Sequence, residues 1–496
     1  MPSRVVSYRP GPPPAAATEP GSLARRFEAI RADLHVPADF PTEVLAEVAL
    51  AQERLSPPST DLTGLGFWTL DPVGSMDLDQ AMVLARDGAG YRVRYAIADV
   101  PAFVAPGGAI DVEARRRGQT IYLPDARVPL HPPALSEAAA SLLPGVVRPA
   151  YVWDFRLDEG GTVTASTVAR ALVRSAARRD YGEVQGQAGA GAADQQVSLL
   201  REIGGKRAAL ESARGGASLP MPEQQVVHEG PGRYRLEYRP PLPAEDWNAQ
   251  ISLMTGMAAA EMMLAGGLGI LRTMPAPDKE AVRRFRRQAR ALGVPWAEGK
   301  RYGDFLRSLD RDNPKHLAVI HEATSLFRGA GYTPFDGVLP ALRIHAAVAS
   351  PYAHVTAPLR RLVDRFGLVV CAALCAGQEV PEWARAALPE LPRLMAEGDR
   401  RASAVERACT DAVEAAVLVG RVGEDFPATV VDHTSKGLPI VQLADPAVLG
   451  VARGTAPAGS DVTVRVEGVD VAAGRVDLRV LDAPASAGSP VANTPA

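Results

Sequence analysis

The stretch Thr69-Leu70-Asp71-Pro72-Val73-Gly74-Ser75-Met76-Asp77-Leu78-Asp79-Gln80 sets three carboxylates within nine residues, between the apolar runs Gly66-Phe67-Trp68-Thr69-Leu70 and Ala81-Met82-Val83-Leu84. Charges this dense beside core-forming segments repel one another and lose hydration, so a cation or a reaction must compensate them. The spacing does not fit a calcium loop of the EF-hand kind. The remaining chemical reading is a Mg²⁺ or Mn²⁺ site that handles phosphate, where metal-bound water and charge neutralisation at phosphorus do the work. A polar turn between two strands is the plain alternative for the run taken alone.

A second constellation lies far downstream, Tyr352-Ala353-His354-Val355-Thr356-Ala357-Pro358-Leu359-Arg360-Arg361-Leu362-Val363-Asp364-Arg365. Thr356 followed by Pro358 predicts a capped helix start with free backbone N–H groups, and Arg360 and Arg361 would lie in its first turn. A helix N-terminus with guanidinium groups is an anion site suited to a phosphodiester and its more negative transition state.

Asp71-x5-Asp77-x-Asp79 together with this second stretch resembles the ribonuclease II and ribonuclease R family of exoribonucleases, whose second signature runs His-Phe-Thr-Ser-Pro-Ile-Arg-Arg. The family's acidic run ends in two adjacent aspartates, whereas here Gln80 follows Asp79. A glutamate pair near the start of a later helix is likewise replaced, by Asn248-Ala249. The resemblance implies an α+β catalytic domain of the RNB type, with Asp71 and Asp77 holding Mg²⁺ (Mn²⁺ as an alternative) and Gln80 offering a neutral oxygen. It implies that Asp79 belongs to the metal set and orients or activates the attacking water, and that Arg360 stabilises charge on phosphorus. Tyr122, in the context Tyr-Leu-Pro, would stack on the 3′-terminal nucleotides at ~1–3 kcal/mol per base. His354, Thr356, Arg361 and Glu406 would contact RNA. The implied reaction is 3′-to-5′ hydrolysis of single-stranded RNA to nucleoside 5′-monophosphates. Its rival is an RNA-binding protein of the same fold with weak or lost catalysis, motivated by Gln80 and Asn248-Ala249; a DNA or small-molecule phosphodiesterase ranks last.

A chain of 496 residues has room for about three domains. Its net charge of -3 carries no global signature of nucleic-acid binding, so such binding must use a local channel. Cys371, Cys375 and Cys409 are too few for a disulfide framework, and a reducing cytoplasm is expected. No apolar run is long enough to span a bilayer, and a monomer is expected.

The domain reading is a disordered tail over 1–21, a small helical segment over 22–62, the catalytic domain over 63–422, an OB-type barrel over 423–483 and a second tail over 484–496. In the helical segment, Ser22 is read as capping a helix through Leu23, Phe27, Ile30 and Leu34, and Thr42 as opening another. Alternation predicts a strand over Tyr91 to Ala98, β-branched and aromatic content predicts further strands at 150–157 and 162–173, and a helical half begins near Arg178. Asp246 to Leu264 reads as a buried helix and Met395 to Val419 as a long one. Arg283 to Arg290 reads as a basic helix with a solvated face. Five short alternating runs after Gly423 predict the C-terminal barrel.

Overall fold

The computed structural model describes residues 5–9, 23–191, 193–217, 223–230, 233–310 and 312–482. Its centre is a closed barrel of five strands, Phe67–Asp71, Gln80–Asp87, Gly90–Ala98, Val147–Leu157 and Val163–Asp180. The alternation read in the sequence is met by cross-strand packing: Tyr95 lies opposite Trp153 and Val93 opposite Phe155, all four fully buried. Closure comes from a parallel pairing of the first strand with the far end of the last, which sets Asp71 beside Asp180. The acidic turn is therefore the connection between the barrel's first two strands. Asp71 ends one and Gln80 begins the other.

The last barrel strand runs on to Asp180, past the predicted helix start near Arg178, because its final residues are held by the first strand. Asp180 then caps the helix Tyr181–Gly189 through the Glu183 amide. The buried helix spans Pro243–Gly266. Gly256 within it is a packing requirement, since a Cβ there would come 2.2 Å from the Tyr352 ring, and its carbonyl accepts the Ala353 amide.

The helices Leu23–Asp33 and Thr42–Glu53 form the expected lead-in. Ser22 and most of the two expected tails lie outside the described residues. One part of the first tail does not: Val5–Arg9 is a strand, paired in parallel with Glu223–Gly230, which itself forms a hairpin with Arg233–Arg239. Backbone hydrogen bonds to a distant strand supply the order that the composition of this stretch lacks.

The predicted helix start at Thr356 is corrected. The helix is Leu362–Cys375, and the preceding residues form a turn in which the Ala357 carbonyl accepts the amides of Arg360 and Arg361. Two carboxylates claim the amides a helix start would have left free: Asp364 accepts from Ala357 and Asp79 from Leu359. The Thr356 hydroxyl shares a hydrogen bond with Ser252 instead of capping.

The long helix spans Leu391–Leu418, and beyond it Asp425–His433, Pro439–Leu443, Leu449–Arg453, Asp461–Asp470 and Arg475–Asp482 close into the expected second barrel. Phe426 is buried in its core, 3% exposed, so it is no platform for a base. The basic helix, Lys279–Ala291, buries Phe285 and Ala289 and exposes Arg283, Arg284, Arg287 and Arg290, as expected of a solvated face. The three cysteines are free thiols, and among the described residues no helix is long and apolar enough to cross a membrane.

Candidate active site

Barrel closure, the Tyr352–Arg361 segment and the start of the Pro243–Gly266 helix meet around a cavity of about 840 Å³. Asp71, Asp77, Tyr122, Asn248, Arg360 and Glu406 are on its walls. The acidic turn thus faces the second constellation, as the paired motifs require.

Each acid of the turn is placed differently. Asp77 accepts from Arg127 Nη1 at 2.6 Å and from the Tyr122 hydroxyl at 3.3 Å, and Arg127 also reaches Glu137 at 2.7 Å. Asp79 is 2% exposed and does not line the cavity. Its Oδ1 accepts the Leu359 amide at 2.7 Å and its Oδ2 accepts Arg360 Nε at 3.1 Å. Burial pushes this carboxyl up to about 8 against the pull of Arg360 and the Leu359 amide. Asp71 Oδ2 is buried with no hydrogen-bond partner among the described residues, and burial pushes its carboxyl up to about 7 against the attraction of Arg360. Arg360 itself is held firmly protonated by these acids, its side chain 45% exposed.

The expected neutral ligand, Gln80, is engaged on both arms. Its Nε2 donates to the Thr356 carbonyl at 2.6 Å, and its Oε1 accepts from the buried Tyr95 hydroxyl. The amide braces the barrel against the downstream segment. Among the described residues no three His, Cys, Asp or Glu side chains converge as a ready metal cluster, because Asp77 and Asp79 each turn to an arginine. Asp71, with its unpartnered buried oxygen, and Asp77, on the same wall, have the donor chemistry a hard divalent cation takes.

Tyr122, Arg361 and Glu406 also line the cavity. Arg361 is clamped by Asp364 through two bonds at 2.7 and 2.9 Å, and burial raises the Glu406 carboxyl. His354 and Thr356 do not line it. The His354 Nδ1 pairs with the Tyr332 hydroxyl at 2.8 Å, and burial beside Arg361 and Arg272 keeps the ring neutral. Both residues build the wall behind the site.

Sequence reading missed Tyr95, Arg127, Tyr181, His228 and Ser252. Arg127 had a local signal, five residues after Tyr122 at the next two-residue strand, which pairs with the strand carrying Tyr122. The others come to the site only through folding.

Residues 59–370 match the model of the RNB domain, and residues 424–481 match that of the RNase II-type exonuclease C-terminal S1 domain. Ribonuclease R of Escherichia coli is 28% identical over 351 residues, covering 66% of this chain and 42% of that protein. Ribonuclease R of Aquifex aeolicus is 26% identical over 443 residues, covering 84% and 61%. The chain therefore spans less than two thirds of the length of these relatives. Among solved structures, Mycoplasma genitalium RNase R in complex with ribose-methylated single-stranded RNA superposes with a TM-score of 0.83 at 19% identity, over 93% of this chain and 78% of that one. Yeast Ssd1, described as a pseudonuclease, superposes with a TM-score of 0.66 at 15% identity, over 90% and 59%. With the RNB match covering most of the sequence and the S1 match falling on the second barrel, this chain belongs to the RNB-domain family of ribonuclease II-type proteins.

Proposed function

We propose that the chain is a hydrolytic 3′-to-5′ exoribonuclease that shortens single-stranded RNA to nucleoside 5′-monophosphates, with Mg²⁺ as its metal and Mn²⁺ as an alternative. The observation that carries this reading is the meeting of the acidic turn with Arg360 at one cavity wall, across 281 positions of sequence. Arg360 presents a fork to a phosphate, and its always-charged guanidinium favours the transition state, in which phosphoryl oxygens carry more charge. Asp79 positions that fork. Tyr122, 41% exposed, offers a ring face to a terminal base, and Arg361 adds charge beside it. A divalent cation held by Asp71 and Asp77 would neutralise charge at phosphorus and make a bound water more acidic.

A second reading, an RNA-binding protein with weak or lost catalysis, is favoured by Gln80 and Asn248-Ala249 in place of family acids and by the fold shared with a pseudonuclease. Incubating the pure chain with end-labelled single-stranded RNA and its DNA twin, in Mg²⁺, Mn²⁺ or EDTA, separates the two. A metal-dependent ladder shortening from the RNA 3′ end, ending in 5′-monophosphates, supports the enzyme. RNA retention without cleavage in either metal sinks it.

A further inference from the structure

Two residues that line the cavity each carry a buried side-chain oxygen with no hydrogen-bond partner among the described residues, Asp71 Oδ2 and Asn248 Oδ1. They come from unconnected elements, the end of a barrel strand and the first turns of the Pro243–Gly266 helix, and both residues line the cavity. Asn248 is 7% exposed. Its orientation follows from its other arm: Nδ2 donates to the Leu70 carbonyl at 3.4 Å and to the Tyr181 hydroxyl oxygen at 3.0 Å. A main-chain carbonyl only accepts, so the NH₂ must face Leu70 and the oxygen the other way. Leu70 directly precedes Asp71, so this bond ties the asparagine to the strand end that carries the acid. Leaving a buried amide oxygen unpaired is costly, and a cation would offset that cost.

On the metal-dependent reading above, we infer that Asn248 Oδ1 is a donor to the divalent cation alongside Asp71, in the place that Gln80 does not fill. Hard cations accept side-chain amide oxygens together with carboxylates. Gln80 is excluded by its own bonds, since its oxygen already accepts from Tyr95 and its nitrogen is committed to Thr356. A neutral oxygen at this place lowers the negative charge of the site, so the chain binds its cation more weakly than a variant with a carboxylate there.

The test is a titration of the full chain with Mn²⁺ alone, without RNA, followed by electron paramagnetic resonance of the free ion, on wild type, Asn248→Ala, Asn248→Asp and Gln80→Ala. Thermal unfolding without metal verifies that each variant folds. Asn248→Ala should weaken Mn²⁺ binding roughly 10- to 100-fold, Asn248→Asp should tighten it by roughly tenfold, and Gln80→Ala should stay within about threefold of wild type. Wild-type affinity in Asn248→Ala overturns the inference, as does a large loss in Gln80→Ala. If the alanine variant does not fold, the nearly isosteric aspartate decides, and unchanged affinity in it overturns the inference. Asn248-dependent binding without RNA cleavage keeps the inference and sinks the exoribonuclease reading. Cleavage with Asn248-independent binding does the reverse, and no Mn²⁺ binding by wild type overturns the inference together with the metal-dependent reading.

Discussion

The Asp79 carboxylate joins two distant parts of the chain, accepting Arg360 Nε at 3.1 Å with one oxygen and the Leu359 amide at 2.7 Å with the other. Both partners are donors, so an asparagine would turn its NH₂ against one of them. Asp79→Asn should release the Arg360 fork and lower the single-turnover rate of RNA cleavage by roughly 10²- to 10³-fold. Arg360→Lys should lose a comparable factor, because an ammonium cannot reproduce the planar fork. Quenched-flow assays with folding verified by circular dichroism decide this, and wild-type rates in either variant would rule out the proposed role of the pair.

Tyr122 contributes both a ring face and a hydroxyl near Asp77. Tyr122→Ala should weaken binding of single-stranded RNA by ~1–3 kcal/mol, while Tyr122→Phe keeps most of the affinity. Fluorescence anisotropy with a labelled oligonucleotide measures both. Equal losses in the two variants would assign the effect to the hydroxyl.

Arg127 competes with any cation for Asp77, which it holds at 2.6 Å. Arg127→Gln removes that charge, and Mn²⁺ affinity should rise by about 1 kcal/mol, roughly fivefold. Calorimetric titration of the RNA-free chain reads this directly, and unchanged or weaker binding would mean that Asp77 is no ligand.

A stability prediction concerns the anchor of the Leu362–Cys375 helix. Arg365 Nη1 meets Asp111 at 2.5 Å with both side chains at most 2% exposed, joining this helix to Ala109–Arg117. Asp111→Ala leaves a buried guanidinium without its partner and should cost ~3–5 kcal/mol, whereas replacing both by apolar residues of similar size should cost much less. Urea unfolding of the single and double variants tests the asymmetry.

His131 is 1% exposed and is held neutral, burial beside Arg365 pushing its imidazole down to about 3 from 6.5. Below pH 6.5 the unfolded chain takes up the proton and the folded chain does not, so stability falls as pH drops through this window. The loss from this group approaches ~4 kcal/mol near pH 3. In His131→Phe the melting temperature should show a shallower slope between pH 6.5 and 4, and an unchanged slope would clear His131 of the role.

Local patterns were enough for whatever a segment can express by itself. Alternation located the Gly90–Ala98 strand and the strands of the second barrel, β-branched and aromatic content located the two strands that follow Gly90–Ala98 in the first, and apolar content located the Pro243–Gly266 helix. What failed was decided by partners far away in the chain. Thr356 and Pro358 read as a helix start until Asp79 and Asp364 took the amides. Gln80 read as a free oxygen until Tyr95 and the Thr356 carbonyl, 276 positions on, engaged its amide. Val5–Arg9 is placed by its pairing with Glu223–Val227, more than two hundred positions on. Sequence alone therefore determined part of the site, Asp71, Asp77, Tyr122, Arg360, Arg361 and Glu406, because these lie in stretches whose motifs are legible locally, while Tyr181, His228 and Ser252 reach it only through the fold. Only the closed barrel decided which of those groups remain open to a ligand and which are spent on one another, because a hydrogen bond or ion pair depends on distances that tertiary packing sets.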